Sequence, residues 1–216
     1  MTTLVAAPPT YRGVLHTWGA VVSVPGGVLL LGLAGGVRGH VSVAIYVVGL
    51  TALLTVSTLY HRVRWSPEVK RRLQKVDHST IFLAIAGTNT PIAMLGVSGW
   101  ARPALLASVW SAALLGVTLQ WLPVRPPRWL FTAAYVVTGW CPVIAFPPLL
   151  HGLGVAGFVL ILAGGLGYTI GAVIYARQRP DPRPEVFGFH EVFHACTLVG
   201  AACHYVVVLL VVLKAR

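Results

Sequence analysis

Long apolar stretches, separated by short groups of charged residues, make up most of the chain. A helix needs about 20 apolar residues to cross the hydrocarbon core of a bilayer, and the charged residues leave seven stretches of roughly that length. The predicted spans cover residues 17–36, 40–60, 78–97, 103–122, 129–148, 153–175 and 190–213. We therefore expect an all-α integral membrane protein with seven transmembrane helices. Its expected parts are a short N-terminal segment (1–16), one membrane domain (17–213) and a C-terminal tail (214–216).

The composition excludes several other classes of protein. Apolar residues make up 56% of the 216 residues and charged residues 10%, and the mean hydropathy is +0.79. A soluble domain is about 25% charged, so this chain has too few charges to cover a water-facing surface. A soluble globular domain, a disordered chain and a nucleic-acid-binding protein are all excluded. The three cysteines lie in apolar stretches and are odd in number, which argues against a disulfide framework.

The positive charges predict how the helices are oriented. Of the 16 Lys and Arg residues, twelve fall on the side of the N-terminus and four on the opposite side. Positive residues collect on the cytoplasmic side of membrane proteins, so we expect the N-terminus inside, the C-terminus outside, and residence in the plasma (inner) membrane. The six basic residues from Arg62 to Lys75 are expected to contact anionic lipid headgroups.

Polar residues from three predicted spans converge at the cytoplasmic boundary. The second span ends with Ser57 and His61 one turn apart, and the third begins beside Asp77. The seventh begins with His190 and His194, which lie four apart and therefore share a helix face. Ionisable groups within a membrane are costly and mark candidate functional sites. The sequence thus predicts one site at one depth, near the cytoplasmic leaflet.

Three imidazoles and a carboxylate suit Zn²⁺, which in catalytic sites typically has three protein ligands and one open position. Asp77 is then either a direct ligand or a base that acts on water, and His16 is a reserve ligand at the same depth. Two simpler interpretations compete with the zinc site. The histidines can sit in the interface against headgroups, and the Ser57 hydroxyl can bond to a carbonyl one turn earlier.

Three blocks of sequence resemble one known family. They are Ser57-Thr-Leu-Tyr-His61, the stretch from Asp77 to Pro91, and Gly164 to Tyr175 followed by Phe187-Gly-Phe-His-Glu-Val-Phe-His194 and His204-Tyr205. In their order and spacing these blocks are similar to the hemolysin III branch of the progestin and adiponectin receptor superfamily. Asn89 departs from the pattern, because the family commonly has an aromatic residue there.

The resemblance implies seven helices and a zinc ion held by His61, His190 and His194. It also implies that Asp77 contacts the water on the zinc and that Ser57 lines the site. Related receptors are linked to hydrolysis of lipid amides such as ceramides, and bacterial members to membrane lipid homeostasis.

Three functions follow as hypotheses. The first is a zinc-dependent hydrolase of lipid amides or esters, in which Asp77 moves the proton and Ser57 orients substrate or water. The second is a non-enzymatic heptahelical sensor in which zinc only joins helices. The third is a pore, which the family name suggests but which the collection of polar groups at one end disfavours.

Overall fold

The computed structural model describes residues 8–123 and 127–216. Residues 1–7 of the predicted N-terminal segment and Arg125 of the positive-charge count lie outside the described residues. The helices are α1 (Val14–Leu33), α2 (Gly36–Arg62), α3 (Pro67–Gly96), α4 (Ala101–Trp121), α5 (Arg128–Trp140), α6 (Phe146–Arg177) and α7 (Phe189–Lys214). A short 3₁₀-helix (Cys141–Ala145) joins α5 to α6.

Six helical stretches in the described part of the chain are long and apolar enough to cross a membrane. The stretch Arg128–Arg177, which comprises α5, the 3₁₀-helix and α6, is one of the six. The prediction of an all-α protein with membrane-length helices is therefore confirmed, and the count of seven separate spans is not. Many large side chains such as Val28, Leu115 and Val155 are exposed on the outside of the bundle, as expected for contact with lipid.

The stretch Arg128–Arg177 folds back on itself. The Arg128 guanidinium lies 5.3 Å from the ring centroid of Tyr175, and the Trp140 indole N–H donates to the Thr169 hydroxyl at 3.0 Å. The beginning of α5 therefore lies beside the end of α6. Within α6, Gly154 has φ 70° and ψ 175°, a conformation that only glycine adopts readily, and the helix breaks there.

Helix α3 begins eleven residues before the predicted third span, which starts at His78. Ser66 is its N-cap and accepts a hydrogen bond from the Val69 N–H, and Pro67 occupies the first helical turn. Serine at the cap and proline next to it are strong helix-start signals. Hydropathy alone predicts a later start, because the first turns of α3 are rich in charged residues. Asp77 consequently lies well inside a helix, and its position is fixed by the helix on both sides.

At the end of the bundle opposite Asp77, contacts to backbone atoms hold several helices together. A Cβ atom added at Gly152 would overlap the Gly96 carbonyl oxygen, so α6 and the end of α3 touch backbone to backbone. The Lys214 ammonium donates to the Gly152 carbonyl at 2.8 Å, and Arg216 donates to the Leu33 carbonyl at 2.8 Å. Between this end and Asp77, a buried core that includes Leu30, Tyr46, Phe82 and Val207 fills the bundle.

The contact between Gly152 and Gly96 predicts that Gly152→Ala is destabilising. The added methyl group collides with a backbone oxygen that cannot rotate away, and overpacking of this kind typically costs about 1–3 kcal/mol. We expect a lower Tm for the detergent-purified variant in a thermal unfolding scan. Gly32→Ala is the control, because a Cβ there has no atom within 4 Å. Equal Tm values for Gly152→Ala and wild type would contradict the contact.

Candidate metal centre

The site is built where α2 ends and α7 begins. Ser57 and His61 lie on the last turns of α2, and His190 and His194 lie on the first turns of α7. The start of α7 is fixed by Glu191, whose carboxylate accepts the Gly188 N–H at 2.8 Å. This bond satisfies a backbone donor that the first turn of a helix leaves free. It also sets where α7 begins and hence where its two histidines face.

The three predicted ligands come together. Within the described residues, His61, His190 and His194 form a group whose candidate ligand atoms all lie within 4.8 Å of one another. The Nε2 atoms of His61 and His190 are 3.1 Å apart, close to the ~3.3 Å that separates two ligand nitrogens around a tetrahedral zinc with Zn–N bonds of about 2.0–2.1 Å. The three imidazoles are thus arranged to hold a metal ion.

The two predicted catalytic residues face the same space. Asp77 is 8% exposed and Ser57 is 2% exposed, and both line one cavity with the three histidines. The carboxylate of Asp77 does not belong to the described group of mutually close ligand atoms. This placement suits a carboxylate that acts on a bound water better than one that binds the metal directly.

The cavity itself has a volume of about 210 Å³ and is lined by α1 to α3 and α5 to α7. Its walls include both His194 and His204 on α7, which are ten residues and therefore about 15 Å apart along the helix axis. The lining between them is mainly apolar and aromatic, with Tyr135, Tyr168 and Tyr175 among the aromatic residues. The histidine group therefore lies at one end of a long, mostly apolar chamber.

The N-terminal segment packs against the site. Arg12 pairs with the buried Glu191 at 2.6 Å, and the Tyr11 N–H donates to the Val186 carbonyl at 3.1 Å. At Gly13, where φ is +78°, a Cβ would lie 2.8 Å from the Cβ of His61. In the sequence, Arg12 counts only as one of the basic residues that predict the orientation. No pattern in the sequence indicated that the segment reaches the metal centre.

Three further histidines, His16, His78 and His204, lie against the candidate site or deeper in the bundle. His16, the reserve ligand, is 3% exposed and lies against the site, where its Nδ1 shares a 2.8 Å hydrogen bond with the Ser57 hydroxyl. His78, the first residue of the predicted third span, lines the cavity. His204 is partnered deeper in the bundle by the Ile161 carbonyl, 3.2 Å from its Nε2, as a histidine about 15 Å past His194 should be.

Comparison with known proteins identifies the family. A family model described as haemolysin-III related matches residues 6–205. Hemolysin-3 of Bacillus cereus is 32% identical over 205 residues, which are 94% of this chain and 90% of that protein. The hemolysin-3 homolog of Bacillus subtilis (strain 168) is 33% identical over 206 residues, 94% of this chain and 93% of that protein. The chain belongs to the hemolysin III family.

A more distant relative places this family in a wider group. The heptahelical transmembrane protein ADIPOR2 of Oryza sativa subsp. japonica is 35% identical over 126 residues, half of this chain and 54% of that protein. The hemolysin III chain is thus part of the progestin and adiponectin receptor superfamily, as its sequence blocks predicted. Family membership and the six apolar helical stretches together make it a multi-pass membrane protein.

The geometry predicts that the chain binds one metal ion and that the histidine group holds it. We expect wild-type protein purified in detergent to contain one metal ion per chain by plasma mass spectrometry. The double variant His190→Ala/His194→Ala should contain none, because two of the three donors are gone. His151→Ala is the control, since His151 is exposed and far along α6 from the site. Metal retained by a folded double variant would rule out the site.

Proposed function

We propose that this hemolysin III protein is a zinc-dependent hydrolase that cleaves lipid amides or esters within the membrane. The observation that carries the proposal is a group of three imidazoles at one end of a mostly apolar cavity, with a buried carboxylate beside it. An imidazole set favours zinc over magnesium or calcium, which prefer oxygen ligands. An apolar chamber favours a substrate with a long hydrocarbon part.

In this mechanism His61, His190 and His194 hold the metal. When bound, Zn²⁺ supplies a Lewis acid that polarises a carbonyl and makes water nucleophilic at neutral pH. Asp77 accepts a proton from the attacking water as its oxygen bonds to the carbonyl carbon. Asp77 then donates that proton to the leaving nitrogen or oxygen as the carbon–heteroatom bond breaks. The Ser57 hydroxyl orients the reacting group, and the cavity walls keep the hydrocarbon chain in place and exclude bulk water.

The proposed topology is seven crossings with the site in the cytoplasmic leaflet of the plasma membrane. Support comes from Arg128–Arg177, whose two ends lie side by side and whose helix breaks at Gly154. Neighbouring ends and a helix break between them are expected of a stretch that crosses the bilayer, turns near Gly154 and crosses back. The excess of basic residues on the side of His61 supports a cytoplasmic position, and the exposed basic residues after it suit anionic headgroups. The heptahelical name of the rice relative agrees with this count.

The alternative function is a sensor in which the metal joins α2 to α7 without catalysis. The ligands do come from only these two helices, which is what a structural cross-link requires. A site that only joins helices, however, has no use for a cavity of about 210 Å³ lined by Asp77. The pore is the weakest alternative, because the histidines and carboxylate of the cavity, apart from His204, collect at the end formed by His61 and Asp77.

The variant Asp77→Asn tests catalysis separately from metal binding. The amide keeps the shape of the carboxylate but cannot accept the proton, so turnover should fall by about 10²–10⁴-fold while the metal content stays at the wild-type value. The measurement is release of fatty acid from a ceramide in mixed micelles, together with metal analysis of the same sample. Glu68→Gln is the matched control, because Glu68 is an exposed carboxylate on the same helix.

Two results would contradict the proposal in different ways. Full turnover by metal-loaded Asp77→Asn would remove Asp77 from the reaction. A metal-loaded wild type that consumes neither lipid amides nor lipid esters, but loses thermal stability when the metal is removed, would establish the cross-link instead of the enzyme.

A further inference from the structure

His16 lies directly against one of the three metal-binding histidines. Its ring is stacked on the ring of His194, with the centroids 3.7 Å apart and an interplanar angle of 5°. The two residues come from opposite ends of the chain, on the first turn of α1 and the second turn of α7. Two nearly parallel rings at this distance are in full face contact, so neither can turn about its ring bond without moving the other.

His194 is oriented by ring contacts, of which the stack on His16 is the shortest and His190 the next at 4.5 Å, and not by a hydrogen bond in the described part of the chain. A histidine that binds a metal through one ring nitrogen usually donates a hydrogen bond from the other, which fixes the ring plane. In residues 8–123 and 127–216, neither nitrogen of His194 has a hydrogen-bond partner from the protein, whereas His61 and His190 contact each other at 3.1 Å. The flat face of His16 is therefore the contact best placed to fix the plane of His194.

A hydrogen bond in turn holds the ring of His16 in place. Its Nδ1 shares the 2.8 Å hydrogen bond with Ser57, and Ser57 lies one turn before His61 on α2. Its Nε2 is buried and, among the described residues, has no partner. Leaving a buried polar nitrogen unpaired is destabilising, and a leucine or phenylalanine at this position would fill the space without that cost. The imidazole at this position is thus poorly explained by packing alone.

We propose that His16 is a positioning residue of the metal centre. The hydrogen bond to Ser57 sets the plane of the His16 ring, and stacking on that ring sets the plane of the His194 ring. The metal-binding nitrogen of His194 is thereby kept directed toward His61 and His190. The inference rests on the metal site of the proposed function and is independent of whether the bound metal turns over a lipid.

Two substitutions of similar size separate stacking from packing. His16→Phe keeps a flat ring, and His16→Leu keeps apolar volume but loses the flat face. We expect His16→Leu to weaken metal binding by about 10–100-fold, the range typical for loss of a group that orients a ligand. His16→Phe should recover most of that loss. His151→Leu, at an exposed position away from the site, should bind as wild type does.

The readouts are zinc affinity, from competition with a chelator, and the visible d–d absorption of the Co²⁺-substituted protein, both on the full chain in detergent. The Co²⁺ spectrum reports ligand geometry, so it should change in His16→Leu and stay close to wild type in His16→Phe. A purely structural role would lower Tm without altering this spectrum in the folded fraction.

The outcomes for the His16 variants distinguish the positioning role from the proposed hydrolase. Wild-type affinity and spectrum in His16→Leu, or equal losses in His16→Phe and His16→Leu, would overturn the positioning role while leaving the proposed hydrolase intact. A wild-type chain that binds neither Zn²⁺ nor Co²⁺ would overturn both. If His16→Leu does not fold, a loss in folded His16→Phe of tenfold or more is enough to reject stacking.

Discussion

Polar groups inside this bundle need partners within the protein, because the bilayer offers no water to hydrate them. Most hydroxyls meet the requirement locally, as Thr88 and Thr90 do by donating to carbonyls one turn earlier. Apart from His204, which is bonded to the Ile161 carbonyl, the buried histidines and carboxylates collect around the junction of α2 and α7. Glu191 has Arg12 and the Gly188 N–H as partners, while the three histidines face one another. The candidate metal centre is thus also where the fold places most of the groups that are costly to bury.

The two ends of the bundle have different physical characters. At the end away from the site, glycines allow Gly96 and Gly152 to touch through their backbones, and the final residues of α7 are tied to α6 and α1. At the site end, side chains of several helices line a cavity. A closely packed end holds the helices in register, which lets the other end stay open without losing the relative positions of its side chains.

Hydropathy and charge spacing were sufficient to predict the helical membrane fold and the depth shared by His61, His190 and His194. Depth follows from position along a helix, whereas the direction of a side chain depends on helix rotation, which tertiary packing sets. For that reason the sequence could offer His16 only as a reserve ligand and did not indicate that His78 lines the cavity. In Arg128–Arg177 no polar loop marks a turn, so the sequence could only divide the stretch between residues 148 and 153, slightly before the break that the structure has at Gly154.

The pairing of His61 with His190 joins residues 129 positions apart, and this separation has a consequence for biosynthesis. When α2 leaves the ribosome, four more helices must still be made before α7 supplies the other two imidazoles. Throughout that interval, His61 and Asp77 are in a partly inserted chain without the neighbours that complete the cluster. Assembly of the cluster is therefore a late event, and a chain stopped before its last helix would hold one imidazole of the three.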